Sequence, residues 1–297
     1  LKIALIPLDI IENDSDSNLE AAIKRFGLLD ADTDMAVLPE MFNTGFTPDV
    51  KQLALNAQPN DGKLINELRN QASRRGIAIW GGFTATENGK YFNRGFMIND
   101  NGEAQFYDKR HLFHYGGESE VLTAGDRISP IISFRTWNLK MSICYDLRFP
   151  AWNRAIANDY DVLVVPANWA HARFFAWKHL LIARAIENQS FVVGCNREGS
   201  DIYGDYPQGD SLVFNNWGDD ISDRRNDGTA DVSDTAQYHV HQNHDGHVVS
   251  EILGQGCQGG QIVGIQHTGN TCKSSGNGKC QQLVLRDIDA NGLCCDT

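Results

Sequence analysis

The stretch LKMSICYDLRFP, residues 139–150, begins as an apolar run and turns polar within a single residue. It belongs to a longer segment, TWNLKMSIC (136–144), that reads as a buried strand. PAWNRAIANDY (150–160) follows with a helical period, and DVLVVPAN (161–168) is again an apolar strand. A strand, helix, strand succession is the unit from which helix-covered parallel sheets are built. Cys144 stands where the first strand ends, just before Asp146 and Arg148.

The same pattern extends in both directions. Upstream, KIALIPLDI (2–10), MAVLPE (35–40) and IAIWGGFTAT (77–86) read as strands. Between them, NLEAAIKRFGLLD (18–30) has Leu19, Ile23 and Phe26 on one helical face, and KLINELRNQASRRG (63–76) is a helix stopped by Gly76. RGFMINDNGEAQFYDK (94–109) is a hairpin around an Asn-Gly-type turn. Downstream, FAWKHLLIARAIENQ (175–189) is a helix and SFVVGCN (190–196) a strand whose Cys195 reads as core. The expected class is α/β, in layers.

The bulk numbers narrow the partners. With 297 residues, 41% of them hydrophobic, the chain can bury a core without disulfides. A formal net charge of -12, with no basic stripe, excludes a nucleic-acid footprint. No run of apolar residues is long enough to span a membrane and no secretory leader is visible, so the expectation is a cytoplasmic protein that meets small molecules or copies of itself.

Composition changes near residue 219, which sets an expected domain at 1–218 and an atypical segment at 219–297. Tyr238 is that segment's one aromatic residue, yet it holds Cys257, Cys272, Cys280, Cys294 and Cys295. Such a segment cannot bury an ordinary core and is either loosely ordered or held by cross-links or metal. His239, His241, His244 and His247 could ligate a metal or belong to a solvated loop, and the cysteines resemble a disulfide framework more than a zinc site.

Chemistry is expected at three strand ends. Glu40 closes AVLPE, Lys109 closes AQFYDK, and Cys144 closes its own strand, where α/β folds place ligands. Alone, Cys144 could be a small buried apolar residue, Glu40 a solvated carboxylate and Lys109 a surface lysine. Together they are complementary: a carboxylate in an apolar pocket can deprotonate a thiol, and a fixed ammonium can hold the charge of a tetrahedral intermediate.

LPEMFNTGF around Glu40, YDKRHLF around Lys109 and ICYDLRFPAWNR around Cys144 resemble the Glu-Lys-Cys motifs of the nitrilase, or carbon-nitrogen hydrolase, superfamily. VPANWAHAR (165–173), ARAIENQSFVVGCNREGSD (183–201) and GDSLVFN (209–215) are similar to its ω-amidase branch, and the resemblance spans about residues 2–218.

The resemblance implies an αββα sandwich that pairs with a second copy into a four-layer homodimer, with no cofactor or metal. It implies Cys144 as nucleophile, Glu40 as base, and Lys109 with the Tyr145 N–H as oxyanion holders. Glu118 is the better match to a second glutamate and Glu120 the spare. The implied substrate is a small 2-oxo dicarboxylic acid monoamide such as 2-oxoglutaramate. Its free carboxylate would be met by Arg148 or Arg173, although either arginine could instead sit in a structural ion pair, Arg148 with Asp146. Phe42, Tyr145, Trp169 and Phe175 are candidate pocket walls. Two alternatives stay open: a hydrolase of another amide, an N-carbamoyl compound or a nitrile, and a catalytically silent scaffold.

Overall fold

Alternation along the first strands sets the layers, because successive side chains of a strand face opposite sides of its sheet. The computed structural model describes residues 1–222 and the backbone of 236–239. In β1 (Lys2–Leu5), Ile3 and Leu5 face one core and Ala4 the other; β2 (Met35–Val37) divides Met35 and Val37 from Ala36 in the same way. β3 (Ala78–Glu87) repeats this with Ala78 and Trp80 against Ile79. With β4 (Lys90–Ile98), β5 (Ala104–Asp108) and β13 (Ala236–His239), they form a sheet ordered β13-β1-β2-β3-β4-β5.

The second sheet is ordered β12-β9-β8-β7-β6, from β6 (Ile131–Phe134), β7 (Trp137–Met141), β8 (Val162–Ala167), β9 (Phe191–Asn196) and β12 (Leu212–Phe214). β7, β8 and β9 run parallel, as the strand and helix succession requires. β10 (Gly199–Asp201) and β11 (Gly204–Tyr206) make a separate hairpin. The two sheets share one core, in which Leu5, Val37, Trp80 and Met97 meet Leu139, Met141, Val162 and Val164. Their approach is so close at Gly95 that a Cβ there would lie 2.2 Å from Met141 Sδ.

Helices close the outer faces. α1 (Ser15–Phe26) and α3 (Lys63–Arg75) lay Leu19, Ala22, Phe26, Leu64, Leu68 and Ala72 on the first sheet. α6 (Phe174–Asn188) lays Trp177, Leu181 and Ala185 on the second. The result is the expected αββα sandwich. α2 (Val50–Asn56), α4 (Glu118–Val121) and α5 (Pro150–Asn153) sit in the connections.

Three elements differ from the expectation. The first strand stops at Leu5, two residues before Pro7, which has no N–H to give to a ladder. The helix expected over 150–160 is the single turn of α5, followed by Ala157 and Asn158 at positive φ; Ile156 is exposed, so no apolar stripe pays for a longer helix. After Cys144 the chain enters a five-residue 3-10 turn, Cys144–Arg148, and not a regular helix.

Residues 219–222 continue the β12 end, where the Ile221 N–H donates to Val213 O at 3.0 Å. The Ala236–His239 strand pairs antiparallel with β1. The expectations for the histidine cluster's side chains and for the five cysteines of 219–297 lie outside the described residues.

Candidate active site

The loops after β2, β5 and β7 bring Glu40, Lys109 and Cys144 together, all buried. Lys109 Nζ lies 2.8 Å from Glu40 Oε1, and 2.9 and 2.8 Å from the two oxygens of Glu118. Glu118 is buried at the start of α4 whereas Glu120 is exposed, so Glu118 is the glutamate that joins the group. Asn93, absent from the sequence reading, donates from Nδ2 to Glu40 Oε1 at 2.7 Å and to Glu118 Oε1 at 3.1 Å. A polar residue between Phe92 and Arg94 in a strand otherwise rich in apolar residues was the signal available.

The lone pairs of Glu40 decide what it can do. A carboxylate has about four acceptor positions. Lys109 and Asn93 take those of Oε1, and the Asn168 N–H takes one on Oε2 at 2.8 Å. Glu40 also lies close enough to Cys144 to raise the thiol's proton affinity. Three fixed donors thus leave Glu40 one acceptor position, on Oε2, among the described residues.

Electrostatics follow from burial. Desolvation pushes the Cys144 thiol well up, and the Glu40 charge adds to this, against the pull of Lys109. Desolvation alone would lower Lys109, but the charges of Glu118 and Glu40 outweigh it and hold the ammonium well above its ordinary range. Burial also pushes Glu118 up, although four donated hydrogen bonds, two from Lys109 and one each from Asn93 and the Phe113 N–H, favour its ionised form. Burial thus favours the protonated thiol, and Lys109 holds its proton between Glu40 and Glu118.

Local backbone is shaped to this purpose. Cys144 has φ 44° and Met41, next to Glu40, has φ 46°. A non-glycine residue in the left-handed region costs roughly 1–3 kcal/mol and persists only where its surroundings fix it. Gly82 lets β3 pass under Glu40, since a Cβ there would lie 3.1 Å from Glu40 Cα. Tyr145 supplies the second N–H of the 3-10 turn, and the first N–H groups of such a turn have no partner within it.

Four of the six expected binding residues lie along one chain of contacts that starts at Tyr145, next to Cys144. The Arg148 guanidinium lies 5.7 Å from the Tyr145 ring and 5.0 Å from that of Trp169. Arg173 lies 5.3 Å from Phe113, which in turn packs 5.1 Å from Tyr145. Neither arginine has an ion pair with a carboxylate among the described residues, and Asp146 is engaged by Tyr107 and His111, not by Arg148. Phe42 and Phe175 are corrections. Phe42 is fully buried against Phe96 in the outer core, because it follows the turn at Met41 back toward β3. Phe175 is 77% exposed at the first turn of α6 and stacks on His179 one turn later.

A profile of the carbon-nitrogen hydrolase family matches residues 2–237. The chain is 37% identical over 222 residues to the omega-amidase YafV of Escherichia coli (strain K12), covering 75% of this chain and 84% of that one. It is 36% identical over 190 residues to the 2-oxoglutaramate amidase of Bacillus subtilis (strain 168), covering 62% and 71%. Among solved structures, it superimposes on XC1258 of Xanthomonas campestris, described as a CN-hydrolase superfamily protein with an arsenic adduct in its active site, with a TM-score of 0.70 and 35% identity over 74% of this chain and 84% of that one.

Proposed function

Since the chain belongs to the carbon-nitrogen hydrolase family and is a hydrolase of C–N bonds, we propose that it cleaves the terminal amide of a small 2-oxo dicarboxylic acid monoamide through a thioester on Cys144. The observation that carries this reading is the buried group of Cys144, Glu40, Lys109 and Glu118, with a Glu40 carboxylate that keeps one acceptor position beyond its three fixed donors.

Glu40 takes the thiol proton as Cys144 Sγ attacks the amide carbon, so no free thiolate has to exist at rest. The oxygen of the tetrahedral intermediate is held by Lys109 Nζ and the Tyr145 N–H. Collapse breaks the C–N bond. The proton held by Glu40 passes to the leaving nitrogen and ammonia departs, leaving the thioester. Water then attacks the thioester carbon, Glu40 takes the water's proton and returns it to sulfur, and the acid leaves. Glu118 keeps Lys109 aimed at the oxyanion position.

Arg148, a guanidinium over Tyr145 and Trp169 with no carboxylate partner among the described residues, suits the far carboxylate of such a substrate, and Arg173, over Phe113 of the same aromatic set, is the second candidate. The relatives named omega-amidase YafV and 2-oxoglutaramate amidase support this substrate class. The protein is further read as a cytoplasmic homodimer, a reducing compartment being the one that keeps such a thiol free.

The test is ammonia release from 2-oxoglutaramate beside glutamine, a nitrile and an N-carbamoyl amino acid, for the protein and for Cys144→Ala. Release from the oxo-amide that disappears in the variant supports the reading. Preference for another of the four moves the specificity, and activity that survives in the variant sinks the mechanism.

A further inference from the structure

Asp146, two residues beyond Cys144, is fully buried, and its carboxylate ties the nucleophile's turn to Tyr107 and His111. Its Oδ1 accepts from the His111 backbone N–H at 2.7 Å and faces His111 Nδ1 at 2.8 Å. Its Oδ2 accepts from the Tyr107 hydroxyl at 2.7 Å and from the Ile143 N–H at 3.5 Å. The Asp146 N–H donates to Ile143 O at 2.9 Å, bridging Cys144 from the other side. Since the carboxylate can only accept, Nδ1 of His111 carries the proton.

His111 is itself held. Its ring stacks on Phe149 at 3.6 Å and 9° and meets the edge of Trp152 at 5.4 Å, while Trp152 Nε1 donates to the Tyr107 hydroxyl at 2.8 Å. Phe149 and Trp152 follow the 3-10 turn, and Tyr107 and His111 flank Lys109. The loop that carries the ammonium and the turn that carries the nucleophile are thus fastened to each other through one buried carboxylate.

We propose that His111 and Asp146 are positioning residues that hold Cys144 in its left-handed backbone conformation and so aim Sγ and the Tyr145 N–H at the reacting carbonyl. The proposal rests on the reading of Cys144 as nucleophile. A residue at φ 44° relaxes unless its neighbours prevent it, and the groups that fix both sides of Cys144 are those of Asp146. Misplacement of a nucleophile by about 1 Å can cost on the order of 100-fold in rate.

The experiment compares His111→Phe, His111→Asn and Asp146→Asn with the unaltered protein. It measures kcat and KM on 2-oxoglutaramate, the rate of Cys144 alkylation by iodoacetamide read by mass spectrometry, and the thermal midpoint. His111→Phe retains the ring on Phe149 and loses the donor, and its kcat is expected to fall on the order of 100-fold with KM and midpoint little changed and alkylation slowed. His111→Asn, whose side-chain amide can stand in for Nδ1, recovers most of that loss. Asp146→Asn presents a donor where an acceptor is needed and loses at least as much as His111→Phe.

Unchanged kcat and alkylation in His111→Phe would overturn the proposal. So would a loss that follows the thermal midpoint and is not restored by His111→Asn. Alkylation needs no substrate, so a protein inactive on every amide tried would still report on the clamp, and failure of the functional reading stays distinguishable from failure of this one.

Discussion

Cys144 and Cys195 are both buried thiols of the second sheet, one just past the end of β7 and the other inside β9, and burial raises the proton affinity of both. Cys195 donates to Val37 O at 3.1 Å, an acceptor that cannot take its proton. Cys144 has Glu40 beside it, a carboxylate that can, and whose charge adds to the rise of the thiol. Cys195 lies in regular strand; Cys144 has a strained φ and an ammonium nearby. Burial therefore does not separate the proposed nucleophile from a core residue here, and the carboxylate beside the sulfur does.

The sharpest way to break the comparison is the same substitution at both sites. Cys144→Ser is expected to lose roughly 10⁴-fold or more in kcat, since the unit fails when its nucleophile does, whereas Cys195→Ser should keep kcat unchanged. Steady-state ammonia release checks both, and comparable losses would show that the two thiols differ less than their partners suggest.

Next in size is Glu40→Gln, which leaves Cys144 in place and gives it a Cys195-like neighbour. Loss of a general base costs about 10²–10⁴-fold, and Cys144 alkylation should slow with it. A variant that alkylates as fast as the unaltered protein would mean that Lys109 and the turn activate the thiol without the carboxylate.

The two cysteines should agree where only burial matters. Both folded thiols hold their protons more tightly than the ordinary value of 9.0. The stability each contributes is full below pH 9 and declines as pH rises, because the unfolded chain then loses protons that the folded one keeps. The slope is about 1.4 kcal/mol per pH unit for each group. Between pH 9 and 10, before the raised tyrosine Tyr107 (ordinary value 10.0) and Lys109 (10.5) add to it with the same sign, Cys195→Ser should remove one such share of the decline. Denaturant unfolding at several pH values reads this directly, and an unchanged slope would mean that the Cys195 proton is not held.

These contrasts also show what the sequence could reveal. Period-two alternation in KIAL and MAV, the Gly76 stop and the hairpin turn are local signals, and local physics decided them. Glu40 and Cys144 were legible because each ends an apolar run, and Lys109 because YDKRHLF resembles the family's motif. The partners that give them meaning were not: the Asn168 N–H reaches Glu40 across 128 residues and His111 reaches Asp146 across 35. Such pairs exist only once two sheets have packed, and no periodicity encodes them. Phe42 and Phe175 were misread for the same reason, since an aromatic residue beside a motif is placed by the turn it follows and the helix face it occupies.

The smallest effect expected is the stability of Cys195→Ser itself. The hydroxyl is close in shape to the thiol and can still donate to Val37 O, so the polar contact survives while apolar contact in a fully buried site is lost. The cost should be about 1 kcal/mol, in the ordinary range for a single core change. A much larger loss, read from the denaturation midpoint at pH 7, would mean that the sulfur's size is what lets β9 pass Val37 across the sheet interface. In that case Cys195 would be as constrained as Cys144, by packing where the other is constrained by chemistry.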